Sequence, residues 1–98
     1  MITKSYSRGG RACRVRFELP AEVQAESAHL CGDFNPWDQS SIPMTLRQDG
    51  SLEVTVSLKP GQEYRFRYWL DRDRWENGRL AEAYVANPFG GEDSVVRV

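Results

Sequence analysis

Long apolar runs, cysteine and histidine are all scarce in this chain. Nowhere do eighteen or so apolar residues run together, and the first eight residues lack the apolar core of a secretory signal. We therefore expect a cytoplasmic protein with no membrane partner. Its two cysteines, Cys13 and Cys31, are too few for a disulfide scaffold and form no Cys-x-x-Cys motif, so they are predicted to be free and buried, with a bridge between them left open.

A surplus of either charge is also lacking. Thirteen basic and fourteen acidic residues give a net charge of −1, so there is no summed positive field to attract nucleic acid, and we expect no nucleic-acid partner. A chain of 98 residues with 40% apolar and 28% charged residues is typical of one soluble domain. We predict a loose leader over residues 1–10, which show no periodicity, and a single domain over residues 11–98.

Strands are the secondary structure that the remaining pattern predicts. Apolar and polar residues alternate with period two over residues 13–19, 52–58 and 64–70, and short apolar segments at 28–31 and 94–98 are also predicted strands. Residues 80–85 are ambiguous between a helical turn and a strand. Because no helix of three turns is indicated, we predict an all-β fold, a β-sandwich of six to eight short strands.

Signatures of catalysis and metal binding are missing. There is no P-loop and no Gly-x-Ser-x-Gly motif, and His29 is the only histidine. A glycosidase needs two carboxylates at a fixed separation, and the available aspartates all lie in turns where Asp is expected for backbone hydrogen bonding: Asp33, Asp38, Asp71 and Asp73. We therefore predict that the protein is not an enzyme and has no catalytic residue, metal or cofactor.

Tryptophan and arginine form the one suggestive group. Trp37 lies among turn-forming residues, Arg67 and Trp69 point outward from the strand at 64–70, and Trp75 follows that strand in a predicted loop. An indole stacks well on the C–H face of a sugar ring, while Asp, Asn and Arg bind its hydroxyl rim. The alternative is that Trp69 and Trp75 simply cover the sheet.

Three motifs in order then carry a family resemblance: Gly32-Asp33-Phe34-Asn35-Pro36-Trp37, Tyr64-Arg65-Phe66-Arg67-Tyr68 followed by Trp75, and residues 87–96 beginning Asn87-Pro88-Phe89-Gly90-Gly91. From about Cys13 to Val98 the chain resembles carbohydrate-binding module family 48. That family includes the isoamylase N-terminal domain and the glycogen-binding domain of the AMP-activated protein kinase β subunit. The small bacterial proteins made of this domain alone are the form it resembles most.

The resemblance implies an immunoglobulin-like early-set β-sandwich that binds α-1,4-glucan without cleaving it, the glucan being glycogen, starch or a malto-oligosaccharide. It also implies that Trp37 and Trp75 grip the glucan. A sugar-binding lysine of the family falls on Arg67 when the alignment starts from Trp75 and on Arg65 when it starts from Tyr64, and we favour Arg67. The alternative is a regulatory or protein-interaction module of the same fold that docks to a glucan-processing enzyme.

The last motif departs from the family pattern. Family contacts made by Leu, Thr and Asn fall here on Phe89, Gly91 and Asp93. Phe89 still supplies an apolar surface, but Gly91 has no hydroxyl, and Asp93 accepts hydrogen bonds without donating them. The predicted carbohydrate-binding residues are therefore Trp37, Arg67, Trp75, Phe89 and Asp93, with Asn35 of the first motif as a further candidate.

Overall fold

Strands form almost all the regular structure of the chain. The computed structural model describes residues 2–78 and 81–98, in which nine strands and one short 3₁₀ helix at Ala21–Val23 are present. The strands are β1 (Ile2–Tyr6), β2 (Cys13–Leu19), β3 (Ala28–Gly32), β4 (Thr45–Leu46), β5 (Leu52–Leu58), β6 (Glu63–Leu70), β7 (Arg74–Glu76), β8 (Ala83–Ala86) and β9 (Glu92–Arg97).

These strands form two antiparallel sheets. The first has the order β1-β2-β5-β4, and the second has the order β3-β6-β9-β8, with β7 paired to β6. Every strand pairing in both sheets is antiparallel. The predicted all-β sandwich is confirmed, and β6 becomes the strand with most partners, since it pairs with β3, β7 and β9.

The core lies between the sheets, where the period-two alternation places it. Alternate residues of β2 and β6 are buried: Cys13, Val15, Phe17 and Leu19 from the first sheet, and Tyr64, Phe66, Tyr68 and Leu70 from the second. Phe17 meets Phe66 edge to face across the sandwich with ring centroids 5.0 Å apart. Such a pair adds about 0.5–1.5 kcal/mol beyond its buried area. Both cysteines are buried and free, as predicted.

The predicted loose leader is wrong for Ile2–Tyr6, which form strand β1. This strand pairs along the whole of its length with β2, from Ile2 opposite Phe17 to Tyr6 opposite Cys13. Its lack of strong periodicity hid it, because only Ile2 packs against the core. The pairing satisfies backbone groups of β2 that would otherwise form an open edge.

The placement of Trp75 in a loop is also wrong. Asp71 and Arg72 adopt positive φ angles of 51° and 60°, which allows a tight turn in which the Asp73 N–H donates to the Leu70 carbonyl at 3.0 Å. The chain therefore reverses at once and returns along β6 as β7. Of the ambiguous residues 80–85, residue 80 lies outside the described residues, and β8 begins at Ala83. In the described ranges no helix is long and apolar enough to cross a membrane.

Candidate functional site

All three tryptophans gather on the outer face of the second sheet. Trp69 on β6 lies directly opposite Trp75 on β7, with ring centroids 4.7 Å apart and ring planes at 53°. Trp37 reaches the same place from the loop after β3, with its ring centroid 6.4 Å from that of Trp75 and the two planes at 71°. Two indole faces, those of Trp37 and Trp75, thus stand nearly perpendicular to each other.

The loop that carries Trp37 is held by the side chain of Asn35. Its Oδ1 accepts the Gly32 N–H at 2.9 Å, and its Nδ2 donates to the Leu30 and Asp38 carbonyls and to the Ser41 hydroxyl. These contacts use both N–H groups of the amide to hold the loop against the end of β3. Asn35, predicted to bind carbohydrate, does not line the cleft described below.

Asp33 joins this loop to strand β6. One carboxylate oxygen accepts the indole N–H of Trp37 at 3.2 Å, and the other accepts the backbone N–H of Arg65 at 2.8 Å. The Asp33 N–H donates in turn to the Arg65 carbonyl at 3.0 Å. A residue 32 positions earlier in the chain is thereby fixed against β6, and the Trp37 ring is fixed with it.

Gly32 makes this close approach possible. A Cβ atom at residue 32 would lie 2.5 Å from the Arg65 carbonyl oxygen and 2.8 Å from the Phe34 ring. Any larger residue would push the loop away from β6. The first glycine of the loop motif is therefore a packing requirement, set by the backbone of a distant strand.

A cleft of about 390 Å³ opens between these elements. It is lined by residues from the Trp37 loop, from β6 and β7, and from the β8–β9 loop: Asp33, Trp37, Arg65, Arg67, Trp75, Asn87, Pro88, Phe89 and Asp93. Its volume lies in the range of about 300–1,000 Å³ that is typical of small-molecule sites. The aromatic walls and the polar rim together suit a ligand with both apolar faces and hydroxyl edges.

Both arginines that the two alignments suggested contribute to the cleft. The guanidinium carbon of Arg67 lies 5.5 Å from the Trp75 ring centroid, a cation–π contact. Its Nε is buried and has no hydrogen-bond partner among the described residues. Arg65 is exposed beside Asp33. Arg67 therefore packs its guanidinium against Trp75, while Arg65 is the more exposed of the two arginines that line the cleft.

The β8–β9 loop is organised by Asn87. Its Oδ1 accepts the backbone N–H groups of Phe89 and Gly91 at 3.0 and 3.1 Å, and its Nδ2 donates to Asp93 at 3.1 Å. Asp93 is only 7% exposed, whereas Phe89 is 93% exposed. A large apolar ring held in water by an ordered loop presents a surface for a ligand.

Five of the six predicted residues thus line one cleft: Trp37, Arg67, Trp75, Phe89 and Asp93. Sequence reasoning did not include Asp33, Asn87 or Pro88 among the candidates, and it ranked Arg65 below Arg67. Arg65 shares the outward face of its strand with Arg67 and could have been chosen on that ground. Nothing in the sequence indicates that Asp33 and Asn87 hold loops that form the site.

The carboxylates beside the tryptophans serve structural hydrogen bonds. Asp38 accepts the N–H and the hydroxyl of Ser40, and these bonds lower the pKa of its carboxyl group. Asp71 accepts the backbone N–H groups of Glu26 and Ser27 at 2.9 and 3.0 Å. Within residues 2–78 and 81–98 no group of three or more His, Cys, Asp and Glu side chains is placed to hold a metal ion.

A comparison with models of protein families shows to which family the chain belongs. The model of carbohydrate-binding module 48, the isoamylase N-terminal domain, matches residues 8–90 of the 98. The chain belongs to carbohydrate-binding module family 48. Its two-sheet architecture agrees with the immunoglobulin-like early-set sandwich that the resemblance implied. A comparison with curated proteins found no match.

As a member of carbohydrate-binding module family 48, the chain carries most of its cleft inside the matched segment. Trp37, Arg67, Trp75 and Phe89 lie within residues 8–90, whereas Asp93 lies beyond them. Membership makes carbohydrate binding the function that the family indicates. The two indole faces and the hydrogen-bonding rim are the features of this family-48 chain on which a more specific ligand can be argued.

Proposed function

We propose that the cleft binds α-1,4-glucan without cleaving it, with sugar rings stacked on Trp37 and Trp75. The observation that carries this proposal is the angle of 71° between those two indole planes, at a centroid separation of 6.4 Å. Successive glucose units of an α-1,4-glucan turn relative to one another, so the chain curves and presents its faces in different directions. A flat β-1,4-linked chain suits aromatic platforms that lie in one plane.

The polar rim supports the same ligand. Arg65 and Arg67 supply hydrogen-bond donors, and Asp33 and Asp93 retain acceptor capacity, because an ionised carboxylate accepts about four hydrogen bonds. Glucose hydroxyls donate and accept, so they match a rim that offers both. Phe89 adds an exposed apolar ring to the lining of the cleft.

The size of the site predicts modest affinity. Burying two indoles against sugar gains roughly 4 to 6 kcal/mol by area, and association costs about as much before the polar contacts are added. We expect dissociation constants between about micromolar and millimolar. Binding of this strength is enough for a module that holds a domain on a polymer with many repeated sites.

Titration with maltoheptaose tests the proposal. We expect it to change the tryptophan fluorescence and the NMR signals of Trp37, Arg67 and Trp75, while cellohexaose, a β-1,4-linked glucan, causes little change. Trp37→Ala should weaken binding sharply. Tyr6→Ala is the matched control, because Tyr6 is an exposed aromatic residue, 53% accessible, on a strand of the other sheet.

Three results would contradict the proposal. Saturating maltoheptaose without any spectral change would exclude glucan binding at this cleft. If, in addition, a glucan-processing enzyme co-purified with both wild type and Trp37→Ala, a module that docks to that enzyme would be favoured over a glucan-binding module. Release of reducing sugar from maltoheptaose by the pure protein would contradict the non-cleaving part.

A further inference from the structure

Trp75 lies on a strand with few backbone contacts of its own. Strand β7 has three residues, and among the described residues it pairs only with β6. The Arg74 guanidinium donates to the Val23 carbonyl at 2.8 Å, which holds the first residue of the strand. The direction of the Trp75 ring must therefore come from the side chains around it.

Trp69 makes the closest ring contact with Trp75. Its centroid lies 4.7 Å away, compared with 6.4 Å for the Trp37 ring and 5.5 Å for the Arg67 guanidinium. Trp69 lies on β6 and is flanked by a paired strand on each side. Trp75 of β7 is opposite it on one side, and His29 of β3 is opposite it on the other. A half-buried ring on a strand paired on both sides has little freedom to move.

Trp69 itself does not line the cleft. Its position behind Trp75 suits it to set the orientation of that ring, and with it the angle of 71° to Trp37. An aromatic pair at such a separation is favoured over the separated rings. Ligand binding then does not need to order the Trp75 platform, which lowers the cost of association.

We propose that Trp69 is a positioning residue for Trp75 and acts on ligand affinity only through that ring. This inference rests on the proposed function, because it assumes that Trp75 is a sugar platform. It differs from a direct contact, in which Trp69 would touch the sugar. It also differs from the alternative in which Trp69 merely covers the sheet and has no effect on binding.

A double-mutant cycle with maltoheptaose separates these cases. Trp69→Ala should raise the dissociation constant about two- to twelvefold, the factor that one aromatic pair is worth. Trp69→Tyr, which keeps a ring beside Trp75, should stay near wild type. In a Trp75→Ala background, Trp69→Ala should have no further effect on the weak residual binding, measured by NMR shifts.

Circular dichroism supplies a readout independent of affinity. Trp69 and Trp75 at 4.7 Å give an exciton couplet, and Trp37 and Trp75 at 6.4 Å give a weaker one, so the signal should fall most in Trp75→Ala and least in Trp37→Ala, with Trp69→Ala between them. If Trp69→Ala fails to fold, Trp69→Leu takes its place in the cycle.

The inference is overturned if the Trp69 variant binds as wild type does, or if it weakens binding equally in the Trp75→Ala background. Failure of the wild-type protein to bind maltoheptaose would instead overturn the proposed function.

Discussion

The Asp33 carboxylate ties the Trp37 indole to the backbone of strand β6. It accepts the Trp37 indole N–H at 3.2 Å through one oxygen and the Arg65 backbone N–H at 2.8 Å through the other. A side chain that is exposed and appears in the sequence as an ordinary turn aspartate thus sets the position of a ligand platform. The site depends on hydrogen bonds between segments far apart in the chain as much as on its aromatic rings.

Asp33→Asn tests this tie. The amide has one acceptor oxygen where the carboxylate has two, so it leaves either the indole or the Arg65 N–H without its partner. Because both bonds are exposed, losing one costs about 0.5–1.5 kcal/mol, which predicts about a two- to tenfold rise in the maltoheptaose dissociation constant by calorimetry. Asp49→Asn is the control, because Asp49 accepts two bonds from Ser51 in a distant turn. Equal affinity for wild type and Asp33→Asn would contradict the prediction.

Gly32→Ala tests the close packing of the same loop. The new methyl group would lie 2.5 Å from the Arg65 carbonyl oxygen, so the loop must move away from β6. We expect a loss of about 1–3 kcal/mol in the free energy of unfolding, measured with urea. Gly9→Ala should change it by less than about 0.5 kcal/mol, since its nearest neighbour, the Arg11 side chain, is 3.8 Å from the added atom. Similar unfolding midpoints for both variants would argue against the packing requirement.

Phe89→Ala separates ligand binding from stability. With 93% of its surface in water, Phe89 contributes little to folding, and the free energy of unfolding measured with urea should change by less than about 0.5 kcal/mol. Loss of its ring from the cleft should raise the maltoheptaose dissociation constant about three- to tenfold. Leu46→Ala, at an exposed apolar residue of the other sheet, should leave affinity unchanged. Unchanged affinity in Phe89→Ala would remove this residue from the site.

The raised pKa of the Cys31 thiol predicts that the protein loses stability at alkaline pH. Burial, with a smaller contribution from the Asp38 carboxylate, raises the pKa of its thiol from 9.0 to about 11. Below the lower pKa both the folded and the unfolded state hold the thiol proton, so the stability that comes from burying the neutral thiol is fully present. As the pH rises through the upper value, the unfolded state has already lost its proton, and the folded state is destabilised by up to about 2 to 3 kcal/mol.

The comparison with Cys31→Ser isolates this effect from other alkaline titrations. The difference in unfolding free energy between wild type and the variant should be constant near neutral pH and should shift against wild type between the two pKa values. Urea unfolding at a series of pH values measures it. A difference that does not change with pH would contradict the raised pKa.

The period-two alternation was enough to predict the two-sheet core. Strands β2, β5 and β6 begin and end within a residue of their predicted bounds, because one buried face demands an apolar residue at every second position. Strand β1 was missed because an edge strand needs backbone pairing more than apolar side chains. Strand β7 was also missed. The turn before it places positive φ angles at two charged residues, Asp71 and Arg72, and not at glycine, so the sequence does not mark the turn.

By itself the sequence determined which residue types are present for a sugar site and which strand faces carry them: Trp37 in a turn-rich motif, and Arg67 and Trp69 outward on β6. Tertiary structure alone decided which of them meet. It set the angle between Trp37 and Trp75, placed Trp69 behind Trp75, and assigned Asn35 to the loop and Asp33 to the tie with β6. Those outcomes depend on distances between segments that lie far apart in the chain, and local pattern reports only which face of its own strand a residue occupies.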